Sequence, residues 1–198
     1  MAFFDVQQRF ARMADALGHT EDATHARAYA EKIRAAIMKD YDAENHTFGI
    51  GTHDSIALAY GVIDDPAEEE RLARSLVGTY RANGHKFDGG FMSYEIYPML
   101  AKYGYVEDAY KMLVNDDYPG PAWSVTAHDA TTYYERYWLD RDEFMKVGHN
   151  FWAFAHPTGW MVADLGGIRY TAPHGREMRL APKVPRSGDL EFVNSTLQ

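Results

Sequence analysis

The run Asp129-Ala130-Thr131-Thr132-Tyr133-Tyr134-Glu135 places a carboxylate directly behind two threonines and two tyrosines. Trp138 follows, and then a second aromatic cluster, Phe151-Trp152-Ala153-Phe154. A carboxylate set in aromatic surface has the composition of a sugar-processing pocket. Ring faces cover the apolar side of a pyranose, and the carboxylate moves a proton. The same residues also suit a capped first helical turn over an aromatic core, because such clusters are common in protein interiors. Residue types and spacing leave both readings open.

Other groups raise other chemistries. There are nine histidines. His149 and His156 stand seven residues apart, one face of a helix, while His53, His85 and His128 fall on loops. No His-Glu-x-x-His is present, and the absence of cysteine removes thiolate zinc sites and disulfides. No metal and no organic cofactor are expected. Gly49, Gly51, Gly89 and Gly90 do not build a phosphate loop, since no Gly-Lys follows them at the required spacing. Asp88 and Glu95 flank Gly89-Gly90 and read as pocket lining or as solvated carboxylates. The Glu68-Glu69-Glu70 run reads as acids at the positive end of a helix dipole.

The elements that must position these groups are mostly helices. Val6, Phe10, Met13, Ala14 and Leu17 recur at helical spacing, and Gly18 stops the run. Thr20 is the expected cap of a second helix carrying Ala26, Tyr29, Ala30, Ile33, Ala36 and Ile37 on one face. A glycine-bearing loop spans Asp42 to His53, and a short apolar helix is expected over Ser55 to Ile63. Asp65-Pro66 opens the next helix, a capping side chain followed by proline at the first position, and that helix ends at Asn83-Gly84. Helices near Ser93–Tyr103 and Val106–Asn115 form a further pair split by Gly104. A long loop over Asp116–Ala130 leads to a last helical run reaching Leu165, in which Pro157 marks a kink and Trp152, Phe154 and Trp160 face a core. Short turns within pairs and longer loops between them are the pattern of an α-hairpin solenoid or toroid. Functional residues in such folds sit on the long loops.

The tail changes character. Ile168–Tyr170, Glu177–Leu180 and Asp189–Val193 read as short strands separated by proline and glycine. Three short strands do not close a sheet by themselves. The expected division is therefore residues 1–167 as the helical domain and 168–198 as the start of a β-rich domain, the chain being a piece of a longer protein.

The chain has 198 residues, 46% of them hydrophobic, enough for a sizeable core. A formal charge of −9 speaks against nucleic acid and anionic membrane surfaces as partners. The first residues carry neither a basic start nor a long apolar run, so no signal peptide is read and a cytoplasmic location is expected.

Taken in order, the segments resemble the C-terminal half of the catalytic domain of bacterial α-L-rhamnosidases, from about residue 4 onward. Ala82-Asn83-Gly84-His85 with Gly89 resembles the family's Ala-Asn-Gly-x-His and following glycine. Tyr97-Pro98-Met99-Leu100 resembles its Leu-Pro-Val-Leu. Tyr118-Pro119 with Pro121-Ala122-Trp123 resembles its Tyr-Pro-Ser-Trp, and Ala130 to Arg136 its Ala-Thr-Thr-x-Trp-Glu-Arg. Asn150 through Ile168 tracks its last barrel helix.

The resemblance implies a mainly α fold, part of an (α/α)6 toroid of helical hairpins with a short β-rich C-terminal tail. It implies an inverting glycoside hydrolase acting on terminal α-L-rhamnosides in rhamnose-containing oligosaccharides or glycosides. By the same resemblance Glu135 is the general base, steadied by Thr131 and Thr132, and Trp123 and Tyr134 belong to the sugar pocket wall. Asn150 retains its place in the family's Asn-His-Tyr-Ala-Phe, whose histidine gives way to Phe151, and His149 is the neighbouring candidate for that binding role. Asp129 stands where the family usually has glycine, and Tyr134 where it has tryptophan. The family's general acid lies in the first half of the barrel, outside these residues. A lyase or uronyl hydrolase on the same kind of toroid, using His53, His85, His128 or Tyr94, is the rival enzyme reading. A non-catalytic carbohydrate-binding fragment that self-associates through an incomplete barrel is the other.

Overall fold

The structure is a computed structural model that describes residues 1–84, 93–135, 147–151, 156–186 and 190–196. The chain divides into two compact units, Met1–Leu76 and Val77–Gln198, with the boundary inside a helix.

The first unit opens with a helical hairpin, α1 (Ala2–Ala16) packed on α2 (Thr20–Ile37). Small residues make the seam: Ala11 and Ala14 of α1, and Ala23, Ala26 and Ala30 of α2, are all buried. Alanine at each crossing lets two helix backbones approach closely. The turn between them is a Schellman motif. His19 N donates to Ala14 O at 2.8 Å and Gly18 N to Asp15 O at 3.0 Å, with Gly18 at φ +80°, a conformation glycine adopts without penalty. Thr20 is the first helical residue and caps nothing; His19 holds the cap position. The apolar row of α1 faces outward, with Val6, Phe10, Met13 and Leu17 at least half exposed, and the buried face belongs to Phe4 and the alanines.

Helix α3 covers Gly51–Tyr60, beginning earlier and ending earlier than the apolar run suggests. Its start is fixed by Asp54, a buried carboxylate that accepts from Phe48 N at 2.6 Å and Thr47 Oγ1 at 2.7 Å. Helix α4 (Pro66–Asn83) starts as the Asp65-Pro66 signal predicts, with Ala67 N donating to Asp65 Oδ1 at 2.9 Å. Within the first turn, Glu68 does more than complement a dipole. It accepts hydrogen bonds from the Tyr41 hydroxyl, from His46 Nδ1 at 2.7 Å and from Arg71 Nε at 2.6 Å. These donors, Tyr41 first, pull its carboxyl down to about 2. Burial and the same carboxylate push the Tyr41 phenol up.

In the second unit α5 (Ile96–Lys102) and α6 (Val106–Val114) form another hairpin. Its Gly104 turn repeats the Schellman pattern, with Tyr105 N donating to Leu100 O at 2.7 Å and Gly104 at φ +88°. Within the expected Asp116–Ala130 loop the chain makes a helix instead, α7 (Pro121–His128), with Pro121 pre-set for the first turn. Whether Pro157 kinks a longer helix turns on residues 152–155, which lie outside the described residues. Among the described residues Pro157 opens α8 (Pro157–Trp160), which runs on as a single π-helical turn, Met161–Leu165. Trp160 is buried against Tyr97 of α5, their ring centroids 5.5 Å apart. Trp152 and Phe154, expected beside it in the core, lie outside the described residues, as do Trp138, His85 and Asp88.

The tail supplies two of the three expected strands. β1 (Ile168–Tyr170) pairs antiparallel with β2 (Met178–Leu180). Residues 190–193 have no strand structure, and Asp189 lies outside the described residues. The hairpin is fastened to the helical part by charge. Asp164, at the end of the π turn and 1% exposed, accepts from Arg169 Nη2 and from Lys183 Nζ at 2.9 Å.

Candidate functional site

Helix α7 ends at His128 because Asp129 turns left-handed, at φ 50°. Ala130 N then reaches back to Ser124 O at 3.2 Å, and Ala130 and Tyr134 are buried together. This reversal launches the segment 131–135 as irregular, bending chain rather than as a helical first turn. It runs alongside 148–151. Glu135 N donates to Gly148 O at 2.8 Å and Phe151 N to Tyr133 O at 2.7 Å. The Thr132 hydroxyl donates to His149 O, so one of the two threonines expected to steady the loop does so.

The carboxylate sits at the end of this pair. Glu135 Oε2 accepts from Gly148 N at 3.3 Å, and a side chain at Gly148 would place its first carbon 3.7 Å from the same oxygen. Glu135 is half-buried. The Tyr134 and His149 rings stack at 4.5 Å between centroids, tilted by 38°. Asn150 follows, exposed. The structure thus brings Glu135, Tyr134, His149 and Asn150 onto two adjoining strands of backbone. Trp123 is held elsewhere on α7, edge-on to Tyr118 at 4.9 Å and to His128 at 4.7 Å, and no described contact joins it to Glu135. His149 lies on a bend and His156 just before α8, so the two do not share a helix face.

Beneath the segment lies a hollow of about 420 Å³, walled by Leu113, Val125, Ala130, Tyr133, Tyr134 and Met161 among others. Its size suits a small ligand, yet Glu135, His149, Asn150 and Trp123 are not on its wall. Burial pushes the Tyr133 phenol up, and burial with the neighbouring Tyr133 does the same to Tyr97. Both phenols are therefore neutral hydrogen-bonding groups at ordinary pH. Among the described residues no group of three or more His, Asp or Glu side chains is placed to hold a metal ion.

Residues 1–165 match the family model described as the bacterial alpha-L-rhamnosidase 6 hairpin glycosidase domain. The chain belongs to that family.

Solved α-L-rhamnosidases share its fold. The enzyme from Dictyoglumus thermophilum superposes with a TM-score of 0.80 at 23% identity, over 91% of this chain and 21% of its own. That from Streptomyces avermitilis, solved in complex with L-rhamnose, gives 0.79 at 22%, over 92% of this chain and 18% of its own. The native Aspergillus terreus enzyme gives 0.79 at 19%, over 88% and 21%. No curated protein matches. The chain thus spans about a fifth of the length of these rhamnosidases. The mainly helical hairpin fold with a short β tail, expected as part of a rhamnosidase toroid, is borne out.

Sequence reasoning missed one part of the candidate site, the backbone of 148–151 as the support of Glu135. Gly148 carries the only available hint, a residue without a side chain next to the candidate histidine.

Proposed function

We propose that this chain supplies the water-activating part of an inverting α-L-rhamnosidase, with Glu135 as general base. The carrying observation is that Glu135 is anchored through its own backbone N–H and through Oε2 to Gly148, in a member of the rhamnosidase family. A base of this kind needs a fixed carboxylate facing a water. Its partner acid stands about 6.5–9.5 Å away to leave room for that water. Tyr134 and His149, stacked beside it, are the proposed wall for the sugar ring, Asn150 a hydrogen-bonding group at its edge, and Trp123 a more distant aromatic contact. The L-rhamnose held by the Streptomyces avermitilis relative supports a terminal α-L-rhamnoside as the substrate class. The acid comes from residues outside this chain, so hydrolysis requires a longer polypeptide that contains it.

The test is hydrolysis of an aryl α-L-rhamnoside by such a polypeptide, with Glu135→Gln beside it. The expected loss is about 10²–10⁴-fold in kcat, with the first-formed sugar inverted at its anomeric carbon. A Gln variant that keeps its rate, or a product of retained configuration, refutes the assignment.

A second reading rests on the outward row of α1. Phe3, Val6, Phe10, Met13 and Leu17 repeat at three- and four-residue steps and are each at least half exposed. That spacing is the seam of a helix pair, and it supports association of the isolated chain with a second copy.

A further inference from the structure

The β1–β2 hairpin sets two arginines directly opposite each other, Arg169 across from Arg179. Thr171 N to Glu177 O at 3.0 Å and Ala181 N to Gly167 O at 2.8 Å place the hydrogen-bonded pairs at alternate positions, and the arginine pair is one of them. Such partners have Cα atoms about 5.5 Å apart and side chains on one face. Like charges so placed destabilise a sheet unless an anion lies between them.

The nearest anion is already engaged. Asp164 holds both Arg169 and Lys183. Arg179, by contrast, has no hydrogen bond or ion pair among the described residues, and Lys102 reaches only the hydroxyl of Tyr103, at 2.9 Å, and its ring. Two overlapping hollows, of about 300 and 680 Å³, share all four cations, Lys102, Arg169, Arg179 and Lys183. Asp164 and Glu95 are the carboxylates on the combined wall. A groove with an excess of positive charge stands out in a chain of net charge −9.

Apart from His156, the rest of the wall is mostly apolar. The larger hollow adds Tyr94, Pro98, Met99 and Trp160. Trp160 is buried, and its Nε1 has no acceptor among the described residues. A bare inorganic anion would fill neither the volume nor the apolar wall. An acidic sugar offers both a carboxylate for the cations and ring faces for the apolar side chains.

We propose that this groove binds an acidic glycan, with a uronate carboxylate held between Arg179 and Lys102 and the sugar ring laid against Tyr94, Pro98 and Met99. None of Trp123, Tyr134, Glu135, His149 and Asn150 lines it, so the groove is a second carbohydrate site, separate from the proposed base. A rhamnosidase so equipped would hold acidic stretches of a heteropolysaccharide while acting on its rhamnose.

Calorimetric titration of the full chain with a short galacturonate oligosaccharide tests this without relying on hydrolysis. The comparison ligands are the fully methyl-esterified, neutral oligosaccharide and inorganic sulfate. The acidic oligosaccharide is expected to bind, weakening as salt is raised. The methyl ester is expected to bind at least tenfold more weakly. Arg179→Gln and Lys102→Gln should each lose about tenfold, one charge-assisted pair apiece. Arg176→Gln and Glu135→Gln should leave binding unchanged, which keeps this result independent of the base assignment. Equal binding of acid and ester, no binding of the acid at millimolar concentration, or wild-type affinity in folded Arg179→Gln and Lys102→Gln overturns the proposal. Sulfate binding as tightly as the oligosaccharide overturns the glycan assignment, leaving a simple anion site.

Discussion

Replacing Glu68 by glutamine separates charge from packing in the first unit. The side chain keeps its shape and one acceptor oxygen but loses the negative charge that Tyr41, His46 and Arg71 share. The carboxyl titrates near 2 in the folded chain against an ordinary 4.5. If all of that difference were folding energy it would amount to about 3.4 kcal/mol. Glu68 is 17% exposed, but Arg71 and His46 are 44% and 33% exposed, so solvent screens the pairs. About 1–2 kcal/mol remains. The sign follows from a depressed carboxylate. The contribution is fully present above pH 4.5, about half gone near pH 3 and lost as pH falls through 2. Urea unfolding of both proteins at pH 7, 4 and 2.5, followed by tryptophan fluorescence and far-UV dichroism, measures it. The gap between wild type and Glu68→Gln should be about 1–2 kcal/mol at pH 7 and shrink to less than half of that at pH 2.5. A gap of constant size across this range would mean that the loss is one of packing, and the charge argument would fail.

Two further outcomes follow from the second unit's charge cluster and from α1. Asp164→Ala removes a buried acceptor from two cations that are 39% and 50% exposed and can rehydrate, so the expected cost is about 2 kcal/mol. In a thermal melt that is a drop of roughly 4–8 °C, and a shift within 1 °C would show that the cluster does not hold the tail. Met13→Glu combined with Leu17→Glu places charge in the exposed row of α1 and should leave stability within about 0.5 kcal/mol. The same pair should convert a concentration-dependent mass in light scattering to that of a monomer; an unchanged mass would remove the second-copy reading.

Where the fold was legible, the signal was local. Asp65-Pro66 marks the start of α4 because a capping oxygen and a preset φ act on adjacent residues. Gly18 and Gly104 mark the hairpin turns because the left-handed conformation selects glycine there. What failed depended on distant partners. The row from Val6 to Leu17 has the period of a buried face, but periodicity does not say what covers a face, and in α1 the close helix contact goes to alanines. The sequence sets Pro157 inside one helical run, and among the described residues α8 begins at it and passes into a π turn, a change of pitch that residue types do not announce. At the site, Glu135 was legible as a residue through its family motif. Its support was not, because the partner is the main chain of Gly148 and any residue type carries a backbone N–H and C=O. The Arg169–Arg179 pairing needed a strand register, which two isolated arginines in a short tail do not reveal.

The pairing of 131–135 with 148–151 also bears on how this region tolerates change. Two backbone hydrogen bonds and the Thr132 hydroxyl clamp the two segments together. Every residue but proline carries both a main-chain N–H and a C=O, so this pairing does not select side chains at Tyr133, Gly148 or Phe151. A side chain added at Gly148 would meet Glu135 Oε2 at an ordinary contact distance of 3.7 Å, so even that glycine is open to exchange. The residues around the carboxylate can therefore change while the one proposed to activate water keeps its anchor.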